Sequence, residues 1–247
     1  MDIYAHRGAS AHAPENTMEA YTMAFDQYHA DGIEIDVHYS KDGEMVIMHD
    51  FDLSRTTNGS GMIFTKTLSE LKALSASTHY TGEGSYPGAK IPTLNEVLEL
   101  VAEKGKKINI ELKAGSFLYP KIEERIIEMV YDYNLQSKTL LSSFDHISMV
   151  RAKEIDSKIK TGILSDCRMY QTTDYVLKTG ADAYNGLYAA FTPEEVISLK
   201  EAGLMVNCYT PNEEKEIQAM IQLGMDIIIT NYPERGIKLR DQLTGKH

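Results

Sequence analysis

The sequence predicts an α/β protein: a single, distorted (β/α)8 TIM barrel with an insertion after a hairpin on its second strand. Three observations lead there. From Pro92 to the C-terminus, strand-like and helix-like runs alternate without a break, the pattern of a parallel sheet covered by helices. Nine strand-like runs can be counted, and setting aside the return arm of the hairpin leaves eight, the number that closes a barrel. At 247 residues the chain can bury one large core and contains nothing that reads as a linker, so residues 1–247 are expected to form one domain. A doubly wound sheet is the open alternative, although the chain shows neither a Gly-rich dinucleotide loop nor a clue to strand order.

Taken in order, Ile3 to His6 reads as a short strand that runs into His6-Arg7-Gly8. A helix follows, with Asn16 expected as N-cap, Glu19 as its capping-box partner and Gly32 as its stop; apolar residues recur at helical spacing through Phe25 and Tyr28. Glu34 to Asp50 reads as a hairpin, because Asp42-Gly43 suits a two-residue type I′ turn whose central residues need positive φ. Paired positions then sum to 85, which places Asp36 opposite His49, roughly 5 Å apart at Cβ. Glu34 shares that face, while Ile35, Val37 and Tyr39 form the buried one. Residues 51–92 lose periodicity and gain Gly, Ser and Thr; so long an excursion is expected to cover one end of the fold and to serve function. Beyond it, strands are predicted over 107–112, 138–143, 159–164, 182–186, 204–209 and 226–230. Helices are predicted over 94–104, 119–134, 146–155, 170–179, 193–202 and 213–223, with one more at the end.

Composition narrows the function classes. With 25 basic against 36 acidic residues the net charge is −11, which repels nucleic acid and anionic membrane surfaces, so neither is expected as a partner. No window approaches the roughly 18 apolar residues of a membrane span, and the chain opens on a strand rather than on a signal segment, so a cytoplasmic location is expected. The two cysteines, Cys167 and Cys208, offer no disulfide framework or metal spacing and are expected to be buried.

Working residues of such a barrel stand at the C-terminal ends of its strands. Glu34 and Asp36 occupy alternate strand positions on one face, where their repulsion is most simply relieved by a cation; oxygen-only ligation suits calcium or magnesium better than zinc. Glu111 and Lys113 bring a third carboxylate and an ammonium to the same end, with a buried ion pair as the plainer explanation of those two. His6 and His49 are the imidazoles that face this cluster and suit an acid and a base. His38 shares the face of the acids but is expected to be peripheral, and His12, His29, His79, His146 and His247 are expected at the surface. Arg7 offers a fork, and Lys113 a point charge, for the oxygens of a phosphate.

At this point the chain resembles the glycerophosphodiester phosphodiesterases. His6-Arg7-Gly8, Pro14-Glu15-Asn16-Thr17, Glu34-Ile35-Asp36-Val37, His49-Asp50, Arg55-Thr56-Thr57-Asn58-Gly59, Ile91-Pro92-Thr93-Leu94 and Glu111-Leu112-Lys113 look like that family's motifs, in order and over nearly the whole length. The resemblance implies a distorted barrel with an insertion at 51–92. It also implies one divalent cation held by Glu34, Asp36 and Glu111, acid-base roles for His6 and His49, and hydrolysis of a small glycerophosphodiester to glycerol 3-phosphate and an alcohol. Tyr209 stands where the family usually has Trp, so it is expected to line the substrate; His79-Tyr80 replaces a common Trp-Phe, and Asn231 replaces the Asp of Thr-Asp-Tyr-Pro. A lysophospholipid substrate is the nearest rival. A Schiff-base aldolase built on Lys113 and a non-catalytic anion-binding barrel lie further off.

Overall fold

The computed structural model describes residues 1–245. Its strands are β1 Asp2–His6, β2 Gly32–Tyr39, β3 Met45–Ile47, β4 Lys107–Leu112, β5 Thr139–Ser143, β6 Lys160–Ser165, β7 Ala183–Leu187, β8 Met205–Tyr209 and β9 Ile227–Thr230. The helices are α1 Met18–Asp26, α2 Leu68–Ala73, α3 Leu94–Lys104, α4 Ile122–Asp132, α5 His146–Ile155, α6 Thr172–Thr179, α7 Pro193–Glu201, α8 Glu214–Leu223 and α9 Pro233–Thr244. Eight strands run parallel in the order β1-β9-β8-β7-β6-β5-β4-β2, and pairing of β1 with β2 closes them into the expected TIM barrel. The ninth, β3, pairs antiparallel with β2 and makes an isolated bridge from Val46 to Thr93 on its other side.

Strand alternation divides the core. Ile33, Ile35, Val37, Ile108, Ile110 and Leu112 belong to the large cluster that joins the strands to the surrounding helices. Tyr4, Leu140, Ala183, Ile227 and Ile229 form a separate cluster that fills the barrel interior. Helix ends follow local chemistry: Thr93 closes a capping box with Glu96 at the start of α3, and Gly105 ends that helix in the left-handed conformation.

The structure differs from the expected local geometry in four places. Thr17, not Asn16, caps α1, accepting from the Ala20 amide; α1 then stops at Asp26, and Gly32 opens β2 instead of ending a helix. The hairpin pairs Val37 with Ile47 and His38 with Val46, so partners sum to 84 and Asp36 faces Met48 rather than His49. The cause is a longer loop. Ser40 pairs with Glu44, leaving Lys41-Asp42-Gly43 as a three-residue connection with Gly43 at φ +82. Finally, Cys208 is buried as expected but Cys167 is exposed, because it lies in the loop beyond β6.

The insertion has its own small core, in which Leu53, Ile63, Leu71, Ala76 and Ile91 pack on Val46 and Met48 of the hairpin. Where β1 ends at His6, β3 takes over the same edge of β2 from Val37 onward, since β4 occupies the other edge. That exchange brings His6-Arg7, at the end of β1, and His49, just beyond β3, to one cavity.

Gly32 sets a packing limit inside the barrel. A Cβ there would lie 2.7 Å from the ring of Tyr4 and 2.8 Å from the carbonyl oxygen of Lys107. Gly32→Ala should therefore lower stability by roughly 1–3 kcal/mol, the usual cost of overpacking, as measured by urea denaturation; an unchanged midpoint would show that Tyr4 can move aside.

Candidate active site

Three carboxylates meet at the C-terminal end of the barrel. Parallel pairing sets Asp36 of β2 beside Glu111 of β4, and Glu34 lies two residues earlier on the same face. One oxygen from each of Glu34, Asp36 and Glu111 lies within 4.8 Å of the others, and all three residues are buried. Burial, then Asp36 and Glu111, push the Glu34 carboxyl well above the usual range. Burial and then Asp36 raise Glu111 from 4.5 to about 7, against the pull of Lys113. Asp36 goes the other way, because Lys113 and Arg7 outweigh the cost of burying it. A divalent cation would suit this donor set. The ligands are oxygen-only, compact and mutually repelling, which is the chemistry of a hard ion such as calcium or magnesium.

Each acid is held from behind. The Nδ2 amide of Asn16 donates to Asp36 Oδ2 at 2.8 Å, and Asn16 Oδ1 accepts from the hydroxyl of Tyr21 at 2.8 Å. The backbone amide of Arg7 donates to Glu34 Oε2 at 3.1 Å. Lys113 Nζ lies 2.6 Å from Glu111 and 3.3 Å from Asp36, so the ion pair considered from sequence forms, but it spans two acids. Glu15 lies 3.0 Å from Arg7 Nη1 and accepts two further bonds from Arg55, which also grips Asp50. Gly8, at φ +80, turns the chain after Arg7 and lets the α1 backbone approach: a Cβ there would lie 2.7 Å from the carbonyl carbon of Ala20.

Both imidazoles are oriented through Nδ1. His6 Nδ1 donates to Asn231 Oδ1 at 2.7 Å, and its Nε2 lies 4.0 Å from Glu34. His49 Nδ1 donates to Asp50 at 2.6 Å. Burial and then Arg7 lower the His6 pKa to about 4, and burial also lowers that of His49, although Asp36 and Asp50 pull it back. His6, Arg7, Glu34, His49, Glu111 and Tyr209 all line one cavity of about 370 Å³. Lys113 stands behind them, turned to the carboxylates. His38 is fully buried rather than marginal, and His29 and His79 are exposed as expected; His247 lies outside the described residues.

Sequence reasoning passed over the supporting shell of Glu15, Asn16, Asp50, Arg55 and Asn231. Their motifs were visible, but the partners they hold are distant in sequence, and Asn16 carries a cap-forming side chain that reads as a helix signal.

Residues 6–235 match the model of the glycerophosphoryl diester phosphodiesterase family. The chain belongs to that family. A glycerophosphodiester phosphodiesterase of Caldanaerobacter subterraneus subsp. tengcongensis is 39% identical over 237 residues, covering 96% of each chain. One from Bacillus altitudinis is 37% identical and covers 98% of each. Among solved structures, a phosphodiesterase of Oleispira antarctica in complex with the product sn-glycerol-3-phosphate has a TM-score of 0.90 at 31% identity, covering 98% of this chain and 97% of its own.

Within this glycerophosphoryl diester phosphodiesterase site the raised carboxyls link stability to pH. Glu111 favours its protonated form in the folded state, so its contribution is fully present below pH 4.5 and is lost as pH rises through about 7. In chelator, thermal stability should decline across that window more steeply for the wild type than for Glu111→Gln, and a divalent cation should remove the difference. Parallel profiles in chelator would contradict this.

Proposed function

We propose that the protein hydrolyses small glycerophosphodiesters, such as glycerophosphocholine or glycerophosphoethanolamine, to glycerol 3-phosphate and an alcohol, with the help of one bound calcium or magnesium ion. The observation that carries this reading is the buried carboxylate triad flanked in one cavity by two imidazoles, each with Nδ1 already committed to a partner. Glu34, Asp36 and Glu111 would hold the ion, which when bound would polarise the phosphoryl oxygens and offset charge in the transition state. Arg7 presents a guanidinium fork to the anionic oxygens, and Lys113 adds a positive charge behind the carboxylates. Tyr209 lines the same cavity and shapes the organic part of the substrate.

The partners of the imidazoles divide their roles. His49 leans on the carboxylate of Asp50, itself held by Arg55; together with Asp36 this offsets part of the lowering that burial imposes, which makes His49 the better placed of the two to give a proton to the leaving alkoxide. His6 leans on a neutral amide and neighbours the positive Arg7, so it remains neutral with Nε2 free to accept a proton from the nucleophile. The reading thus makes His6 the base and His49 the acid.

The rivals fare less well. Residues 51–92 border a cleft of about 380 Å³ in which Glu15, Arg55, Thr56 and His79 stand among Ala11, Pro14, Ala76 and Tyr80, a mixed surface whose charges a long acyl chain would have to cover. Asp36 and Glu111 outweigh the cost of burying Lys113 and raise its pKa, whereas a Schiff-base lysine must lose its proton.

Saturating chelator followed by dialysis should abolish release of glycerol 3-phosphate, and calcium or magnesium should restore it; turnover that survives the treatment would refute the metal requirement. His6→Ala and His49→Ala should each lower kcat by about 10² to 10⁴, the usual size of acid-base help. On a nitrophenyl diester, whose leaving group needs no acid, His49→Ala should regain much of that loss and His6→Ala should not; equal recovery would reverse or erase the division. Arg7→Lys should lower kcat/KM because a point charge cannot replace the fork, and an unchanged value would remove Arg7 from the phosphate site.

A further inference from the structure

We infer that His38, fully buried on β2 two residues beyond Asp36, is a positioning residue for His49. The inference rests on the acid-base role proposed for His49, and its argument begins where the hairpin ladder stops. β3 ends at Ile47, and the last bond across the hairpin runs from the Met48 amide to the Asp36 carbonyl. His49 therefore stands beyond the strand. Its carbonyl oxygen is met instead by His38 Nε2, at 3.3 Å.

The ring of His38 is held so that only one tautomer serves. Nδ1 lies 2.7 Å from the hydroxyl of Tyr119, which donates to it, so the proton sits on Nε2 and points at the peptide of His49. Phe51 meets the ring edge-on at 4.7 Å between centroids, and Tyr119 does so at 5.8 Å. The ring thus touches the active-site segment twice, at the carbonyl of residue 49 and at the side chain of residue 51. His38 also lies on β2 two residues after Asp36, so one strand carries both a carboxylate and the clamp on the imidazole. An apolar residue would fill the space. It could not satisfy the His49 carbonyl or the Tyr119 hydroxyl, and a buried polar group left without a partner is costly.

A small displacement of a reacting group can cost about 10²-fold in rate, so the clamp should show in kcat rather than in KM. His38→Leu should lower kcat/KM for glycerophosphocholine roughly 10- to 100-fold with KM little changed. His38→Gln, whose terminal amide can still donate to the carbonyl, should recover most of the loss. The deciding comparison repeats His38→Leu in a His49→Ala background, where a residue that acts only through His49 has nothing left to position. No further loss is expected there. Equal losses in both backgrounds, a wild-type kcat/KM for His38→Leu, or failure of His38→Gln to recover while its thermal stability is normal would each overturn the assignment. If His38→Leu does not fold, Tyr119→Phe takes its place in the same cycle, since it frees the ring without emptying the space. Near wild-type turnover of His49→Ala alone would instead sink the acid-base role on which the clamp depends.

Discussion

Three like charges confined to one small buried volume are the constraint to which the rest of the site answers. Water is largely excluded from Glu34, Asp36 and Glu111, so their repulsion must be met by groups that the fold supplies or by an ion that it binds. Two cations, Arg7 and Lys113, do part of this, and they hold Asp36 ionised while the other two carboxyls remain raised. The imbalance leaves room for a divalent charge. It also explains the outer network: Arg7 approaches Asp36 through Nε while its Nη1 is tied to Glu15, and Glu15 is shared with Arg55.

The barrel makes this arrangement possible by changing the partner of β2 along one edge. β2 is longer than β1, and its free upper edge is covered by β3 running the other way. The chain therefore returns to the site from outside the barrel and delivers His49-Asp50 just where β1 delivers His6-Arg7. The insertion that follows packs on the outer face of that return strand and carries Arg55 back to Glu15.

Much of this was legible in the sequence, for identifiable reasons. The regular half of the barrel beyond Pro92 follows from simple periodicity, and the end-of-strand polar residues follow from the barrel's own polarity; helix α5 spans the predicted 146–155 and strand β4 the predicted 107–112. The hairpin register failed by one residue because Asp-Gly serves both a two-residue turn and the last positions of a three-residue one. His49 nevertheless reaches the site, since it has left the ladder and is no longer bound by the alternation of a strand. Asn16 was misjudged for a different reason. Its short amide side chain is equally suited to capping a helix and to bonding a carboxylate across the fold, and local sequence does not choose between them.

The separate small core beneath the insertion has a consequence for motion. Leu53, Ile63, Leu71, Ala76 and Ile91 bury their side chains against the hairpin rather than in the barrel, and separately packed units of this kind are where local opening concentrates. Arg55 rides on that unit, whereas Glu15 rides on the loop before α1. One local unfolding event would then break the grip on Asp50 and Glu15 together, loosening the support of both imidazole and guanidinium without disturbing the carboxylates. Amide exchange that is faster across residues 51–92 than in β2 and β4 would be the signature of a catalytic centre supported half by the barrel and half by a separately packed insertion.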